Sequence, residues 1–173
     1  YEIVTGDWSS AVCSSDLGFL AIHPGKKHLY STARSNGNNV AAFRIREDDT
    51  LDPINTQPSE GTGPCHVSLD ATGSCLMVAN YGSGSVASLR IDEDGSLVKS
   101  NSAHQHEGSS INERRQKGPH AHSIYAGPDN KFAYAPDLGI DQVVIYSLNP
   151  ESALMKKVGR SEEHTSELQS PVT

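Results

Sequence analysis

A histidine-rich polar segment, residues 104–123, carries the residue types best suited to chemistry in this chain. Its last two histidines, His120 and His122, are two positions apart, so in an extended strand both side chains point to the same face. Histidine titrates near neutral pH and can give or take a proton during a reaction. We therefore predict that His120 and His122 are catalytic; a metal-binding or purely structural histidine pair is the alternative.

Charged residues precede this pair on the same segment. A guanidinium can bind phosphate or carboxylate through two parallel hydrogen bonds, so Arg115 is predicted to bind an anionic group of a substrate. Glu107 is predicted to be catalytic, either as a carboxylate base or by orienting a histidine. Arg114 and Lys117 lie beside Arg115 in the sequence, and solvated loop charges are the alternative for these cations.

The chain that must position these residues contains three copies of one unit. The copies occupy residues 29–54, 76–100 and 132–158, with matching valines at Val40, Val86 and Val143 spaced by 46 and 57 residues. Each copy holds short β-branched or aromatic runs bounded by turn formers, a pattern that predicts four strands per unit. DEDG at residues 92–95 and the equivalent positions predict hairpin turns, and residues 71–73 and 129–130 predict a second recurring turn. Repeats of this size are typical of β-propeller blades or solenoids.

Four strands per unit predict an all-β chain of about three four-stranded propeller blades. A propeller closes with roughly four to eight blades, so three copies predict a fragment of a larger ring. An isolated piece leaves blade faces and strand edges uncovered, so we expect the chain alone to be inactive. The predicted partial propeller domain spans residues 18–159.

The repeat also relates single residues in neighbouring copies. His66 follows a Gly-Pro pair, as His122 does, which predicts that both lie near the mouth of the central channel and that His66 binds substrate. Asp137 in APDLG occupies the position of Asn80 in VANYG. Asp137 is predicted to be a catalytic acid and Asn80 a substrate ligand, with turn formation as the alternative for both. Cys65 lacks an orienting third group and is predicted to be a small buried thiol.

Both ends of the chain resemble translated sequencing adapter. Residues 160–170 read RSEEHTSELQS, the translation of one adapter strand, and residues 7–17 read DWSSAVCSSDL, which matches the reverse complement except at Ala11. We therefore expect residues 1–17 and 160–173 to be non-native segments, to be left out of fold reasoning. Their apparent candidates for chemistry are set aside: Cys13, Asp16, Glu162, Glu163 and His164.

The charge and the cysteines narrow the classes of partner. Most of the formal net charge of −7 lies in those two ends, so the interior offers no positive surface for nucleic acid or an anionic membrane. No apolar run approaches the ~18 residues of a membrane span. Two interior thiols, Cys65 and Cys75, lack a disulfide-framework spacing and favour a reducing compartment, so we predict a cytoplasmic protein.

The sequence QHEGSSINERRQKGPHAHS, with GPCHVSLD and VANYGSGSV before it and APDLGIDQVVIY after it, resembles the lactonase family of seven-bladed β-propellers. That family includes 6-phosphogluconolactonases and relatives of the carboxymuconate cyclases, and the resemblance covers essentially all of residues 18–159. It implies a hydrolase that opens 6-phosphoglucono-δ-lactone in the pentose phosphate pathway. Its partner would be this phosphorylated sugar lactone, the complete protein would be a monomer, and no cofactor is expected.

Opening a lactone requires a base that activates water, a donor for the developing oxyanion and cations for the phosphate, and the residue types above suit each role. Three alternatives remain open. The first is a cycloisomerase that acts on carboxymuconate-type substrates, since the same residues could serve it. The second is a metal-dependent lactonase, because other propeller hydrolases hold Ca²⁺ in the channel. The third is a propeller scaffold that binds proteins and catalyses no reaction. Clustered histidine and arginine in one copy argue against the scaffold.

Overall fold

The computed structural model describes residues 17–33 and 37–161, and within them every regular element is a β-strand. Twelve strands form three antiparallel four-stranded sheets, which confirms the predicted all-β repeat. Sheet 1 contains β1 (Leu17–Ile22), β2 (His28–Ala33), β3 (Asn39–Ile45) and β4 (Leu51–Pro58). Sheet 2 contains β5 (Pro64–Leu69), β6 (Cys75–Asn80), β7 (Ser85–Arg90) and β8 (Ser102–Gln105). Sheet 3 contains β9 (Tyr125–Ala126), β10 (Phe132–Asp137), β11 (Gln142–Asn149) and β12 (Leu154–Arg160).

The two segments predicted to be non-native fall almost entirely outside the described residues. Leu17 is the first residue of β1, Arg160 is the last residue of β12, and Ser161 follows it. The remaining residues of both segments, including Cys13, Asp16, Glu162, Glu163 and His164, lie outside the described part of the chain. Their expected non-native origin stays a prediction.

The same turns recur in each sheet. Between the first two strands, one residue adopts a left-handed backbone conformation: Lys26, Gly73 and Asn130, with φ of 57°, 80° and 57°. Each of these residues donates its amide N–H to the carbonyl three positions earlier. Between the third and fourth strands the same conformation recurs at Asp49, Gly95 and Ala153. Glycine adopts such angles without strain and Asn or Asp tolerates them, so the turn formers of the sequence correctly predict both turns.

Sheet 2 is covered on both faces by its neighbours. Along β6, side chains alternate between the two faces because the period of a strand is two residues. Leu76 and Val78 pack into the apolar cluster shared with sheet 1, whereas Met77 and Ala79 pack into the cluster shared with sheet 3. All six residues of β6 are buried. The apolar run that fills β6 up to Asn80 is therefore explained by burial on two faces.

The first strands of the three sheets lie side by side. β1 contacts β5, and β5 contacts β9. At one end of these strands, Asn130 ties sheet 3 to sheet 2 because its Nδ2 donates to Asp70 Oδ2 and its Oδ1 accepts from the Ala71 amide. These contacts make β1, β5 and β9 the innermost strands of three sheets that turn about one side.

The fourth strand of sheet 2 differs from the prediction. Immediately after the 92–95 turn only an isolated bridge forms, between Ile91 and Leu97, and the ladder resumes at Ser102. At the interruption the Ser100 hydroxyl donates to the Ser88 carbonyl in place of a backbone amide. His104, the first residue of the polar segment 104–123, therefore lies in β8 of sheet 2.

Candidate active site

His120 and His122 lie in an extended segment just before β9, outside the regular strands. Ala121 between them forms a bridge with Asp137, which holds the backbone extended. Both imidazole rings consequently reach the same side chain. The ring centroid of Tyr81, from the turn between β6 and β7, is 4.6 Å from that of His120 and 5.8 Å from that of His122. The two-residue spacing thus brings the pair together, at the junction of sheets 2 and 3.

The proton of His120 is placed by its surroundings. Its ring stacks on Tyr81 with an interplanar angle of 13°, and its Nδ1 is 2.9 Å from the Tyr81 carbonyl oxygen. A carbonyl oxygen can only accept a hydrogen bond, so Nδ1 carries the hydrogen. In the neutral ring Nε2 then holds a lone pair, and it has no hydrogen-bond partner within the described residues. His120 is half-buried, and this arrangement suits a general base.

Asp137 lies beneath His120 and is 2% exposed. Its Oδ1 accepts hydrogen bonds from the backbone amides of His120 at 2.7 Å and Gly139 at 2.8 Å. Burial favours the neutral carboxyl, but the hydrogen bonds from His106 and from these amides outweigh it, and the pKa of Asp137 lies below its usual value. The geometry favours a role in holding the backbone of the site over direct contact with a substrate.

The segment between β8 and the histidine pair is anchored by a buried glutamine. Gln116 donates through Nε2 to the Leu138 carbonyl and accepts through Oε1 from the Asn112 amide. Arg115 and Glu107 are both exposed, and neither side chain makes a hydrogen bond or ion pair within the described part of the chain. The structure therefore does not bring Glu107 to the histidines, and it leaves the Arg115 guanidinium free for an external anion.

His66 lies on β5 between two aromatic rings of the neighbouring inner strands. Its ring centroid is 4.3 Å from that of Phe19 and 4.6 Å from that of Tyr125, and only 3% of the residue is exposed. Nδ1 accepts the Ile124 amide at 3.3 Å, while the buried Nε2 has no partner in the described structure. Burial, with a smaller contribution from His122, lowers the pKa of His66 to about 4. His66 is therefore neutral at physiological pH.

This burial predicts a pH-dependent stability. The folded pKa of His66 is below its ordinary value of 6.5, so the unfolded chain binds the proton more tightly, and stability present above pH 6.5 is lost as the pH falls toward 4. Between pH 7 and 4.5 we expect the wild type to lose about 2 kcal/mol more free energy of unfolding than His66→Gln. Urea unfolding of the complete protein at both pH values measures it; parallel losses would contradict the assignment.

Asn80 and Cys65 lie close to the site, but neither side chain is fully exposed. Asn80 is fully buried, and its Nδ2 donates to the Ser59 carbonyl at 2.9 Å. Its own backbone carbonyl accepts the Gly84 amide, so the geometry favours the turn-forming alternative for Asn80 over substrate contact. Cys65 is half-buried, not fully buried as predicted, with Sγ 3.4 Å from the His122 carbonyl oxygen.

A groove of about 410 Å³ opens beside His122 on sheet 3, and His120 is not among the residues that line it. Its lining includes His122, Pro136, Leu138, Gln142 and Val143. In the part of the chain that the structure describes, no group of three or more His, Cys, Asp or Glu side chains is arranged to hold a metal ion.

Three residues of the site escaped the sequence reasoning: Tyr81, His106 and Tyr146. Tyr81 reads as an ordinary turn residue in VANYG, and only the folded structure shows its contact with both histidines. His106 was present in the QHEGSS motif, but its partners are distant in the sequence. Tyr146 carried a usable signal, because Phe43 and Leu89 occupy the equivalent position in the other two copies and only Tyr146 adds a hydroxyl.

Three radially adjacent four-stranded sheets with innermost strands side by side define blades of a β-propeller, here with a histidine cluster at one end of those strands. Residues 6–169 match the family described as lactonase, seven-bladed β-propeller. The chain belongs to this lactonase family.

Known proteins similar to the chain agree with this family. It is 38% identical over 134 residues to a 6-phosphogluconolactonase of Bacillus subtilis, a match that covers 75% of the chain and 38% of that protein. It is 32% identical over 135 residues to a 6-phosphogluconolactonase of Formosa agariphila, covering 76% and 38%. The solved structure of a periplasmic gluconolactonase of Pseudomonas aeruginosa superposes with a TM-score of 0.71 at 29% identity, covering 79% of the chain and 40% of that structure.

The chain thus spans well under half the length of the curated relatives it matches. In the described residues, no helix is long and apolar enough to cross a lipid bilayer.

Proposed function

We propose that the complete protein is a lactone hydrolase that opens 6-phosphoglucono-δ-lactone. The observation that carries this proposal is His120, whose Nδ1 hydrogen is committed to the Tyr81 carbonyl and whose Nε2 is left as a free base at the mouth of the inner strands. The activity named for the relatives in Bacillus subtilis and Formosa agariphila supports the choice of lactone. Asp137 supports the base from below by holding the His120 amide.

In the proposed reaction, His120 Nε2 accepts a proton from water as the water oxygen attacks the lactone carbonyl carbon. The exposed His122, whose ring also contacts Tyr81, donates a hydrogen bond to the developing oxyanion. The carbonyl then re-forms, the bond from the carbonyl carbon to the ring oxygen breaks, and the protonated His120 returns the proton to that oxygen. The product is an open-chain hydroxy acid, released as its carboxylate, and the enzyme is regenerated.

The substrate class is tested by comparing lactones and muconates on the complete protein. We expect saturable ring opening of 6-phosphoglucono-δ-lactone, a higher KM for the unphosphorylated glucono-δ-lactone, and no cycloisomerisation of a carboxymuconate. Turnover of the carboxymuconate without lactone opening would overturn the proposal. The comparison requires the complete protein, because Phe19, Leu20 and Ile22 of β1 are exposed here and would need a neighbouring blade to cover them.

Arg115 gives a specific prediction for phosphate binding. A charge-assisted hydrogen bond to phosphate is worth about 2 kcal/mol, so Arg115→Ala should raise KM for the phosphorylated lactone by about thirtyfold with little change in kcat. Arg114→Ala is the matched control, since it removes an equally exposed cation one position away. Steady-state kinetics of both variants measure the effect, and equal KM changes would show a diffuse loop charge instead of a specific phosphate ligand.

We further propose that residues 18–159 are the propeller part of the chain and that the complete protein is a cytoplasmic monomer without a cofactor. The sequence spacing of Cys65 and Cys75 matches no disulfide framework, which supports a reducing compartment. The Pseudomonas aeruginosa neighbour is a periplasmic protein, so fractionation of the source cells is the informative test of compartment. Reading the complete coding sequence across residues 17 and 160 tests the boundaries; continuous coding sequence through either junction would contradict them.

A further inference from the structure

A buried network of hydrogen-bonded polar side chains lies beneath His120. His106 Nδ1 lies 2.6 Å from Asp137 Oδ2, and His106 Nε2 lies 2.8 Å from the Tyr146 hydroxyl. His106 is 1% exposed and Tyr146 is fully buried. This network reaches His120, the candidate base, through the other carboxylate oxygen of Asp137, because Oδ1 accepts a hydrogen bond from the His120 amide.

The ionised carboxylate of Asp137 determines the direction of the hydrogen bonds in this network. Both oxygens of an ionised Asp137 accept, so His106 Nδ1 must donate. In the neutral imidazole Nε2 then accepts, which makes the Tyr146 hydroxyl the donor. Burial, together with the charge of Asp137, raises the pKa of Tyr146, and its hydroxyl keeps that hydrogen. With a neutral His106 and an ionised Asp137, this is the one arrangement of hydrogens that pairs every donor with an acceptor in this network.

The equivalent turn in sheet 2 forms without this polar network. At the position of Asp137 it has Asn80, which forms its turn with Ser85 Oγ and the Ser59 carbonyl as partners. At the position of Tyr146 it has Leu89, buried in the apolar cluster. A buried charge that a neutral amide replaces in the neighbouring copy is a poor source of stability, because desolvation opposes the Coulombic gain.

We propose that His106 and Tyr146 are positioning residues that orient the Asp137 carboxylate, so that Asp137 holds the His120 backbone where the ring keeps its Nδ1 hydrogen on the Tyr81 carbonyl. Their consequence for turnover rests on the proposed function. Because neither residue is exposed, they act through His120 and do not touch the substrate. The unit is specific to sheet 3, where the candidate base lies.

The test uses two substitutions of His106 in the complete protein. The amide nitrogen of His106→Asn can replace Nδ1 and still donate to Asp137, whereas His106→Leu cannot. We expect His106→Leu to lower kcat about tenfold or more with KM changed less than about twofold, and His106→Asn to retain most of kcat. In ¹⁵N spectra of histidine-labelled protein, His120 Nε2 should lose its unprotonated signal in His106→Leu only. Equal behaviour of the two variants would overturn the proposal.

A second pair of variants covers the case in which His106→Leu does not fold. Tyr146→Phe removes only the hydroxyl that bonds to His106. Tyr30→Phe removes an equally buried hydroxyl of sheet 1, which bonds to the Gly95 carbonyl of the turn in sheet 2. Both should lower the melting temperature similarly. Only Tyr146→Phe should lower kcat, by about threefold, and broaden or shift the His120 Nε2 signal. Identical effects of the two substitutions would mean that Tyr146 has only a structural role, which would refute the positioning proposal.

The two readouts separate the failure of this inference from failure of the proposed function. The protonation pattern of His120 is observed without any substrate, so it reports positioning even if the complete protein opens no lactone. Conversely, lactone opening by wild type with an unchanged His120 spectrum in His106→Leu would retain the proposed function and reject the positioning unit.

Discussion

Replacing His120 by glutamine should lower kcat for lactone opening by about a hundredfold to ten-thousandfold. Glutamine can hydrogen-bond but cannot accept the proton of water, whereas the bond between Nδ1 and the Tyr81 carbonyl selects the neutral His120 tautomer whose Nε2 carries the lone pair. KM should change little, because the base acts on water in the transition state and contributes little to ground-state binding. Steady-state hydrolysis by the complete protein measures both constants.

His23→Gln is the matched control for this substitution. His23 lies in the turn after β1, at the opposite end of the inner strands, and its Nε2 bonds to the Gly73 carbonyl. The same change of side chain there should leave kcat within about twofold of wild type. A wild-type kcat in His120→Gln would remove His120 from the mechanism, whereas equal losses in both variants would indicate a general effect of histidine replacement on folding.

The second large effect is expected from a single methyl group at Gly139. A Cβ at this position would overlap the Gly118 carbonyl oxygen and lie 2.7 Å from the His120 nitrogen. Both are backbone atoms, so they cannot rotate away as a flexible side chain would. Gly139→Ala should therefore push the segment that carries His120 off Asp137, lower the free energy of unfolding by about 2 kcal/mol and reduce kcat about a hundredfold.

Gly118→Ala provides the control from the facing segment. A Cβ at Gly118 meets no atom within 4 Å, so this variant should retain activity and stability. Thermal unfolding and kinetics of the two variants decide the point. Equal activity in Gly139→Ala and Gly118→Ala would mean that the close approach of the two backbones has no part in holding the site.

The sequence predicts the architecture well because the fold repeats its local signals. Turn-forming residues recur at the same place in each copy, and the structure puts Gly73 and Asn130, or Asp49 and Gly95, at equivalent left-handed positions. The continuous apolar run at Cys75–Ala79 in β6 then follows from two-faced burial. The spacing of His120 and His122 predicts that their side chains share one face, and both rings contact Tyr81, a neighbour that the spacing did not identify.

The electrostatics of the site could not be read in the same way, because they depend on packing between distant segments. His106 and Asp137 are 31 residues apart and meet only after β8, the loop and β10 are in place. Burial of His66 comes from Phe19 on one neighbouring sheet and Tyr125 on the other. Exposed Glu107, predicted as a catalytic carboxylate, shows the converse: a motif gives residue types but not the direction in which a loop points.

The central claim, that the complete protein opens a phosphorylated lactone with water activated by His120, is tested most directly by a single turnover in H₂¹⁸O. With enzyme in excess over 6-phosphoglucono-δ-lactone, we predict opening far faster than the spontaneous reaction and one ¹⁸O atom in the carboxylate of the first product formed. Opening no faster than in buffer, or a first-turnover product that carries only ¹⁶O, would contradict direct attack by activated water.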